Sequence, residues 1–153
     1  MTDTPLSRPR TIADQIPITE IMARDPVCTA PDVAVTRLAQ IMTEHRIGCV
    51  PIVDERRRPI GIVTRFDLVD DMDRSARAHG VHRMGRTGRD VMMPLALTLD
   101  ERATVAHAAS MMTLEDLHHV MIIRGDGVLV GIVSSKDIVR WLVQNDGICC
   151  RPT

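Results

Sequence analysis

The sequence contains almost no aromatic residues. Phe66 and Trp141 are the only two among 153 residues, and tyrosine is absent. Proteins that bind single-stranded nucleic acid stack bases on several aromatic rings, so the composition excludes this class. The core must instead be aliphatic, built from Val, Ile, Leu, Ala and ten Met.

The sequence also lacks an excess of one charge and a long apolar run. Nineteen basic and twenty acidic residues leave a formal net charge of -1, which provides no overall field to attract nucleic acid or an anionic membrane. The apolar stretch Val128–Val133 is far shorter than a membrane-spanning helix, and the N-terminus has no apolar segment typical of a secretion signal. We therefore expect a cytoplasmic protein with no nucleic-acid partner and no membrane partner.

Cysteine spacing and catalytic motifs give no sign of metal, redox or enzyme chemistry. The four cysteines match neither a zinc ribbon nor a CxxC motif. Cys28 and Cys49 lie in apolar segments and are interpreted as core residues, whereas the adjacent Cys149 and Cys150 belong either to a frayed tail or to an oxidisable pair. Because P-loop, GxGxxG, HExxH and GxSxG motifs are absent, we expect no catalysis and no obligatory cofactor.

The chain contains two copies of one unit. Residues 35–69 align without a gap with residues 105–139, which are shifted by 70 positions. Identical pairs include Met42/Met112, Val50/Val120, Ile52/Ile122, Gly61/Gly131, Val63/Val133, Asp67/Asp137 and Val69/Val139. A unit of roughly sixty residues rarely buries its apolar face alone, so the two copies should pack against each other.

Each copy is predicted to fold in the order β-α-β-β-α, which gives a mixed α/β (α+β) fold. The spacing of Val35, Leu38, Ala39 and Met42, repeated at Val105, Ala108, Ala109 and Met112, predicts a helix, with Asp32 or Asp100 as its N-cap. The predicted strands are 26–29, 49–53 and 59–64 in the first copy, and 95–99, 120–123 and 128–134 in the second. Second helices begin near Asp67 and Asp137, with apolar faces formed by Leu68, Val69 and Met72, and by Ile138, Val139, Leu142 and Val143.

These elements predict five segments along the chain. They are an N-terminal arm (1–16), the first repeat (17–72), a linker (73–86), the second repeat (87–145) and a C-terminal tail (146–153). The stretch 73–89 is the only locally basic part, with five arginines and two histidines. It is either a solvated linker or an arm that faces phosphate.

One motif in each copy contains side chains that can bind a ligand. Gly61–Asp67 and Gly131–Asp137 each place a hydroxyl at a strand end and a carboxylate three residues later, on the first turn of a helix. The helix N–H groups with the hydroxyl can hold a phosphate, the carboxylate can accept both hydrogens of a ribose diol, and the glycine permits close backbone approach. The same spacing is also that of a helix capping box, and both interpretations remain open from the residues alone.

The repeated unit resembles the cystathionine-beta-synthase (CBS) domain. The residues that carry the resemblance, over about residues 17–145, are Ile21-Met22 and Val91-Met92, the segment Arg46–Asp54, and the paired G-I-V-[ST]-x-x-D motifs. The resemblance implies a Bateman module, in which two CBS repeats pack sheet to sheet with pseudo-two-fold symmetry and leave two clefts. Such modules typically bind AMP, ADP, ATP, NAD or S-adenosylmethionine, and two modules commonly form a flat homodimer.

The resemblance also implies roles for individual residues. Asp67 and Asp137 would bind ribose hydroxyls, and Thr64 and Ser134 would contact phosphate. Arg65 and Lys136 follow these hydroxyls in the sequence, and they either supply positive charge to the phosphate or are exposed surface charges. The adenine or phosphate region would be lined by Thr29, Thr98, Ile47, Gly48, Cys49, Leu117, His118 and His119. A metal site at the adjacent histidines is not favoured, because neighbouring side chains on a strand point to opposite faces.

The two copies depart from each other at their middle strands. His118 and His119 stand where the first copy has Gly48 and Cys49, and Met121 stands where it has Pro51. We therefore expect unequal clefts, with the cleft of Asp137 and the histidines binding phosphorylated ligands better. The predicted function is a nucleotide-sensing regulatory module that signals to a partner protein; the alternative is a structural dimerisation unit with vestigial clefts.

Overall fold

The computed structural model describes residues 11–77, 85–94 and 97–145. The first repeat follows two 3-10 turns, Ile12–Asp14 and Ile18–Glu20, and comprises β1 (Ala23–Arg24), α1 (Val35–Glu44), β2 (Cys49–Val53), β3 (Pro59–Thr64) and α2 (Arg65–Arg77). The second repeat comprises α3 (Gly88–Val91), β4 (Met93–Pro94), β5 (Thr98–Asp100), α4 (Val105–Leu114), β6 (His119–Ile123), β7 (Leu129–Ser134) and α5 (Ser135–Asn145). Both predicted hairpins, β2–β3 and β6–β7, are confirmed. No helix in these ranges has the length and apolar character that crossing a bilayer requires.

The two repeats exchange their opening strands. Strand β1 pairs antiparallel with β7 of the second repeat, with Ala23 opposite Ile132, and β4 pairs with β3 of the first, with Met93 opposite Ile62. The resulting sheets have the orders β1-β7-β6-β5 and β2-β3-β4. Because the two pairings are equivalent under the 70-residue shift, the repeats are related by pseudo-two-fold symmetry, as predicted.

The predicted opening strands are wrong in their positions. Residues 26–29 form no continuous strand; Thr29 makes a single parallel bridge to Ile52, and the strand that pairs with the other repeat lies earlier, at β1. In the second repeat the opening segment is likewise divided between β4 and β5. Each opening segment pairs first with the sheet of the other repeat and then with the sheet of its own repeat. In the first repeat Pro26 lies between these two pairings, and proline has no N–H to donate to a strand pairing.

The predicted N-caps are also wrong. Helix α1 is preceded by Ala34, which offers no side-chain cap, and α4 is preceded by Thr104, whose hydroxyl accepts the backbone N–H of His107. Asp100 instead accepts the backbone N–H of Arg102 at 2.9 Å, in the turn that separates β5 from α4. Asp32 is exposed on the equivalent approach to α1.

Alternate residues of the hairpin strands face two different cores. Val50 and Ile52 of β2 pack under α1, and Val120 and Ile122 of β6 pack under α4. The residues between them meet across the two sheets in a third cluster of Cys49, Val53, Ile62, Met121 and Leu129, with Cys28 and Ile132 packed against it. The interpretation of Cys49 as a core residue is confirmed, whereas Cys28 is partly buried at the edge of the same cluster. The repeats pack sheet to sheet.

Only part of each predicted apolar face on α2 and α5 is buried. Leu68 and Ile138 are in the core, but the equivalent residues Val69 and Val139 are 62% and 57% exposed. Met72 and Val143 are exposed as well, whereas Trp141, which the prediction left out of the face, is buried. Each helix contacts its sheet along only one edge of the apolar stripe, so the other edge of the stripe faces outward.

In the described part of the basic segment 73–89, arginines in α2, and Arg86 beyond it, form ion pairs with aspartates. Helix α2 continues to Arg77, five residues into the predicted linker, and Arg74 pairs with Asp70 at 2.8 Å. Arg86 pairs with Asp71, and its carbonyl accepts the backbone N–H of Val35 at the start of α1. His79, His82 and Arg83 of this segment, and Cys149 and Cys150 of the tail, lie outside the described residues.

Candidate functional site

A cleft of about 550 Å³ lies between the two repeats. The loop before β2 and the start of α2 line it from the first repeat, and the start of β6 with the β7–α5 junction lines it from the second. Nine of the predicted site residues line this cleft, which we call the Asp137 cleft: Ile47, Gly48, Cys49, Arg65, His118, His119, Ser134, Lys136 and Asp137.

At the β7–α5 junction, Ser134 and Asp137 form a reciprocal cap. The backbone N–H and the hydroxyl of Ser134 donate to Oδ2 of Asp137 at 2.8 and 2.6 Å, and the backbone N–H of Asp137 donates to Ser134 Oγ at 3.2 Å. The other carboxylate oxygen of Asp137, Oδ1, accepts a hydrogen bond from Nη1 of Arg140 at 3.0 Å. The capping interpretation is therefore confirmed, and it leaves Oδ1 as the oxygen that a ligand can reach by replacing Arg140.

The β3–α2 junction has the same cap, but different residues surround its carboxylate. The backbone N–H and hydroxyl of Thr64 donate to Oδ2 of Asp67 at 2.6 and 2.7 Å. Asp67 lines a second, smaller cleft of about 210 Å³ together with Asp70, Asp71, Arg74, Arg86, Asp90, Val91, Met92 and Met93. We call it the Asp67 cleft.

The middle segments of the two repeats meet inside the Asp137 cleft. The imidazole of His119 lies over Gly48, where an added Cβ would be 3.6 Å from His119 Nε2. The backbone N–H of Arg65 donates to the Gly48 carbonyl at 3.0 Å, and that of Ser135 donates to the His118 carbonyl at 2.9 Å. The prediction divided these segments between two clefts, and that division is wrong, because the pseudo-two-fold axis brings both to the same place.

Burial sets the protonation of two side chains at this meeting point. It lowers the pKa of His119 below the ordinary value of 6.5; the neighbouring His118 lowers it further, and Asp137 acts in the opposite direction. Burial also raises the pKa of the Cys49 thiol to about 12. Both groups are thus held neutral at pH 7, so His119 is a hydrogen-bonding group there rather than a cation.

Four long cations surround the Asp137 cleft. They are Arg46, Arg65, Lys136 and Arg140. The prediction included Arg65 and Lys136 but missed Arg46 and Arg140. Arg140 follows Asp137 by one helical turn, a spacing that places two side chains on the same face, and this was the available signal. Arg46 has a positive φ of 54°, a turn conformation that nothing in its own residue type indicates.

Four predicted site residues do not line either cleft: Thr29, Thr64, Thr98 and Leu117. The Oγ1 atom of Thr29 is buried and makes no hydrogen bond within the described part of the chain. Thr98 begins β5 but is not the equivalent of Thr29. Thr29 pairs with Ile52, and the equivalent Ile122 pairs with Leu99. Leu117 closes the turn after α4, where its backbone N–H donates to the Met112 carbonyl. Thr64 acts on the Asp67 cleft only through its bonds to Asp67.

The comparisons with known proteins agree with this architecture. The family model described as the CBS domain matches residues 18–74 and 89–144. An uncharacterized protein of Methanopyrus kandleri is 31% identical over 125 residues, which cover 82% of this chain and 62% of the relative. The chain spans less than two thirds of the length of the first curated relatives, and only 32% of an uncharacterized protein of Methanocaldococcus jannaschii.

Two solved structures show the same fold. The CBS domain pair of protein MJ0100, in complex with 5'-methylthioadenosine and S-adenosyl-L-methionine, is 25% identical, with a TM-score of 0.72 over 84% of this chain and 96% of that one. The structure of CBSX2 in complex with AMP is 19% identical, with a TM-score of 0.74 over 86% of this chain and 98% of that one.

Proposed function

This chain belongs to the CBS domain family, and on that premise we propose that it is an adenosine-nucleotide-sensing regulatory module. It binds AMP, ADP, ATP, NAD or S-adenosylmethionine in the Asp137 cleft and signals to a partner protein by a change in the packing of its repeats. The observation that carries the proposal is the cleft itself, where a capped carboxylate and four cations meet between two repeats. The adenosine ligands of the MJ0100 pair support the ligand class.

The residues of the cleft suit the parts of such a ligand. Oδ1 of Asp137 can accept hydrogen bonds from a ribose diol, and the surrounding cations, together with the positive end of the α5 dipole, can attract phosphate. The volume of about 550 Å³ lies in the usual range for small-molecule sites. These are binding roles, and we propose a regulatory rather than a catalytic protein with no obligatory cofactor.

The position of the cleft gives the ligand a way to act at a distance. Gly48 and Arg65 belong to one repeat, and His119 and Ser134 belong to the other. A ligand that contacts both repeats stabilises the one arrangement in which its contacts are best, and it shifts the population toward that arrangement. A partner protein that contacts the outer surface of both repeats can detect the shift.

Thermal unfolding with each ligand tests the proposal. A ligand at about 100 times its dissociation constant adds roughly 2.7 kcal/mol, which raises the midpoint by roughly 5 to 10 °C in a chain of this size. The shift should disappear in Asp137→Ala and persist in Asp32→Ala, which removes an exposed carboxylate outside the cleft. If no ligand raises the midpoint of protein freed of carried-over nucleotide, the sensing function is wrong.

A structural dimerisation unit is the second candidate, and the exposed faces of α2 and α5 favour it. Phe66 is 78% exposed, and the equivalent Val69 and Val139 leave apolar surface on both helices. A second copy of the chain carries the same two faces, so a closed homodimer can cover them. Light scattering should give twice the chain mass, and the Val69→Glu/Val139→Glu double variant should give a monomer. A wild-type monomer would contradict this candidate.

A further inference from the structure

The two clefts differ in charge at one equivalent helical position. Resting on the proposed function, we propose that this position decides which cleft accepts a phosphorylated ligand. Arg140 on α5 admits the ligand's phosphate to the Asp137 cleft, and Asp70 on α2 excludes phosphate from the Asp67 cleft. Arg140 and Asp70 are therefore the specificity-determining residues of the module.

The equivalence of the two positions follows from the fold. Asp70 follows Asp67 by one helical turn, as Arg140 follows Asp137, and both helices begin directly after the second hairpin strand. The caps at the two helix starts have the same partners and nearly the same distances. The strand pairings beside them are also equivalent, with Ile132 opposite Ala23 and Ile62 opposite Met93. The two side chains thus leave equivalent points of the backbone with opposite charge.

In the Asp137 cleft, Arg140 compensates the charge of Asp137, the only carboxylate among the lining residues that the structure describes. Its Nη1 lies 3.0 Å from Asp137 Oδ1, and its side chain is 56% exposed toward solvent. When a ribose diol takes Oδ1, the guanidinium of Arg140 loses this partner and becomes able to bind phosphate through charge-assisted hydrogen bonds. Arg46, Arg65 and Lys136 add positive charge to the same lining.

In the Asp67 cleft, carboxylates outnumber cations. Among the described residues, four aspartates and two arginines line it, and both arginines form ion pairs with aspartates: Arg74 with Asp70, and Arg86 with Asp71. The excess negative charge repels a phosphate that enters this space. An adenosine ligand without phosphate does not meet this repulsion, so the Asp67 cleft discriminates by charge.

The middle-strand histidines do not supply this difference. Gly48, Cys49, His118 and His119 all line the Asp137 cleft, so the residue differences between the two repeats at these positions do not compare one cleft with the other. His119 is also held neutral at pH 7 by its burial. The selectivity is thus assigned to the helical position rather than to the histidines that the sequence pointed to.

Calorimetric titration with AMP and with adenosine separates charge from adenosine binding. We expect Arg140→Asp to weaken AMP binding at least about tenfold more than adenosine binding, because adenosine has no phosphate for the guanidinium to bind. Arg140→Gln should give an intermediate loss for AMP. Arg37→Asp is the matched control, because it reverses an exposed arginine on α1 that pairs with Glu44 outside both clefts, and it should leave both titrations unchanged. In the other direction, Asp70→Arg should add AMP binding at the Asp67 cleft, seen as a higher stoichiometry.

Two results overturn the inference. The first is an equal loss of AMP and adenosine binding in Arg140→Asp, and the second is the same loss of AMP binding in Arg37→Asp. A further readout is ionic strength: the AMP preference of the wild type should decrease from low to high salt, whereas adenosine binding should not. If the wild type binds neither AMP nor adenosine, the proposed function itself is wrong, and this outcome is distinct from a failure of charge selection.

Discussion

Replacing Gly61 with alanine should destabilise the protein more than the same change at Gly131, although the two glycines are equivalent. Each lies in a hairpin strand that is covered by the opening segment of the other repeat. A Cβ on Gly61 would be 2.6 Å from Sδ of Met92 and 2.8 Å from the backbone carbonyl oxygen of Met93. Glycine is therefore required at this position for the close approach of β4 to β3.

The magnitude follows from which atoms must move. At Gly61, one of the colliding atoms is the backbone oxygen of Met93, which belongs to the β3–β4 pairing and cannot move without breaking it. At Gly131, the close contacts are Sδ and Cγ of Met22, a flexible side chain, and the nearest backbone oxygen, that of Ala23, is 3.3 Å away. Overpacking of a core costs about 1 to 3 kcal/mol, so we expect about 3 kcal/mol for Gly61→Ala and about 1 kcal/mol for Gly131→Ala.

Thermal and urea unfolding of the two variants measure the difference. At roughly 2 to 4 °C per kcal/mol, the midpoint should fall by roughly 6 to 12 °C for Gly61→Ala and by roughly 2 to 4 °C for Gly131→Ala. Gly125→Ala is the matched control, because an added Cβ there meets nothing within 4 Å, and it should change stability by less than about 0.5 kcal/mol. The reasoning is refuted if Gly131→Ala is as destabilising as Gly61→Ala, or if both behave like Gly125→Ala.

Three further predictions concern a cap, a histidine and a thiol. Ala34→Thr should stabilise the protein by about 0.5 to 1 kcal/mol in urea unfolding, because it transfers the cap of Thr104 to the equivalent start of α1; a loss of stability would show that the two starts differ. Because folding lowers the pKa of His119 below 6.5, the unfolded chain binds that proton more tightly, so acidification through and below pH 6.5 removes stability that is fully present above it. His119→Gln should therefore lose less thermal stability between about pH 7.5 and 5.5 than the wild type, and equal losses would contradict this. Burial raises the pKa of the Cys49 thiol to about 12, so iodoacetamide at about pH 8 should label it slowly in the folded protein and fast in urea. Peptide mass spectrometry measures the labelling, and fast labelling of the folded protein would contradict the burial of this thiol.

Local patterns predicted the elements that depend on neighbours in the chain. The periodicity of Val35, Leu38 and Met42 predicted α1, and the apolar runs around 49–53 and 59–64 predicted a hairpin with the observed bounds. The hydroxyl and carboxylate spacing predicted the caps at Thr64–Asp67 and Ser134–Asp137. In each case the interacting groups lie within a few residues, so the sequence contains the interaction itself.

The same patterns failed where the partner lies far along the chain. An apolar stripe on α2 shows that one face prefers burial, but it does not say how much surface the neighbouring sheet offers, and Val69 remained exposed. The opening strands were misplaced because a strand pairs with whichever edge the tertiary fold presents, and here that edge belongs to the other repeat. Arg140 was missed as a site residue because its importance depends on the cleft beside it.

The repeat, the order of its elements and the two capped carboxylates are therefore properties of the sequence. The duplication is visible as a match of the sequence with itself, and each cap joins residues only three positions apart. The composition of each cleft is a property of the tertiary structure. The pseudo-two-fold packing brings Gly48 beside His119, and it surrounds Asp137 with cations and Asp67 with carboxylates. Electrostatic interaction acts through space and not along the chain, so only the packing of the two repeats could decide which charges share a cleft.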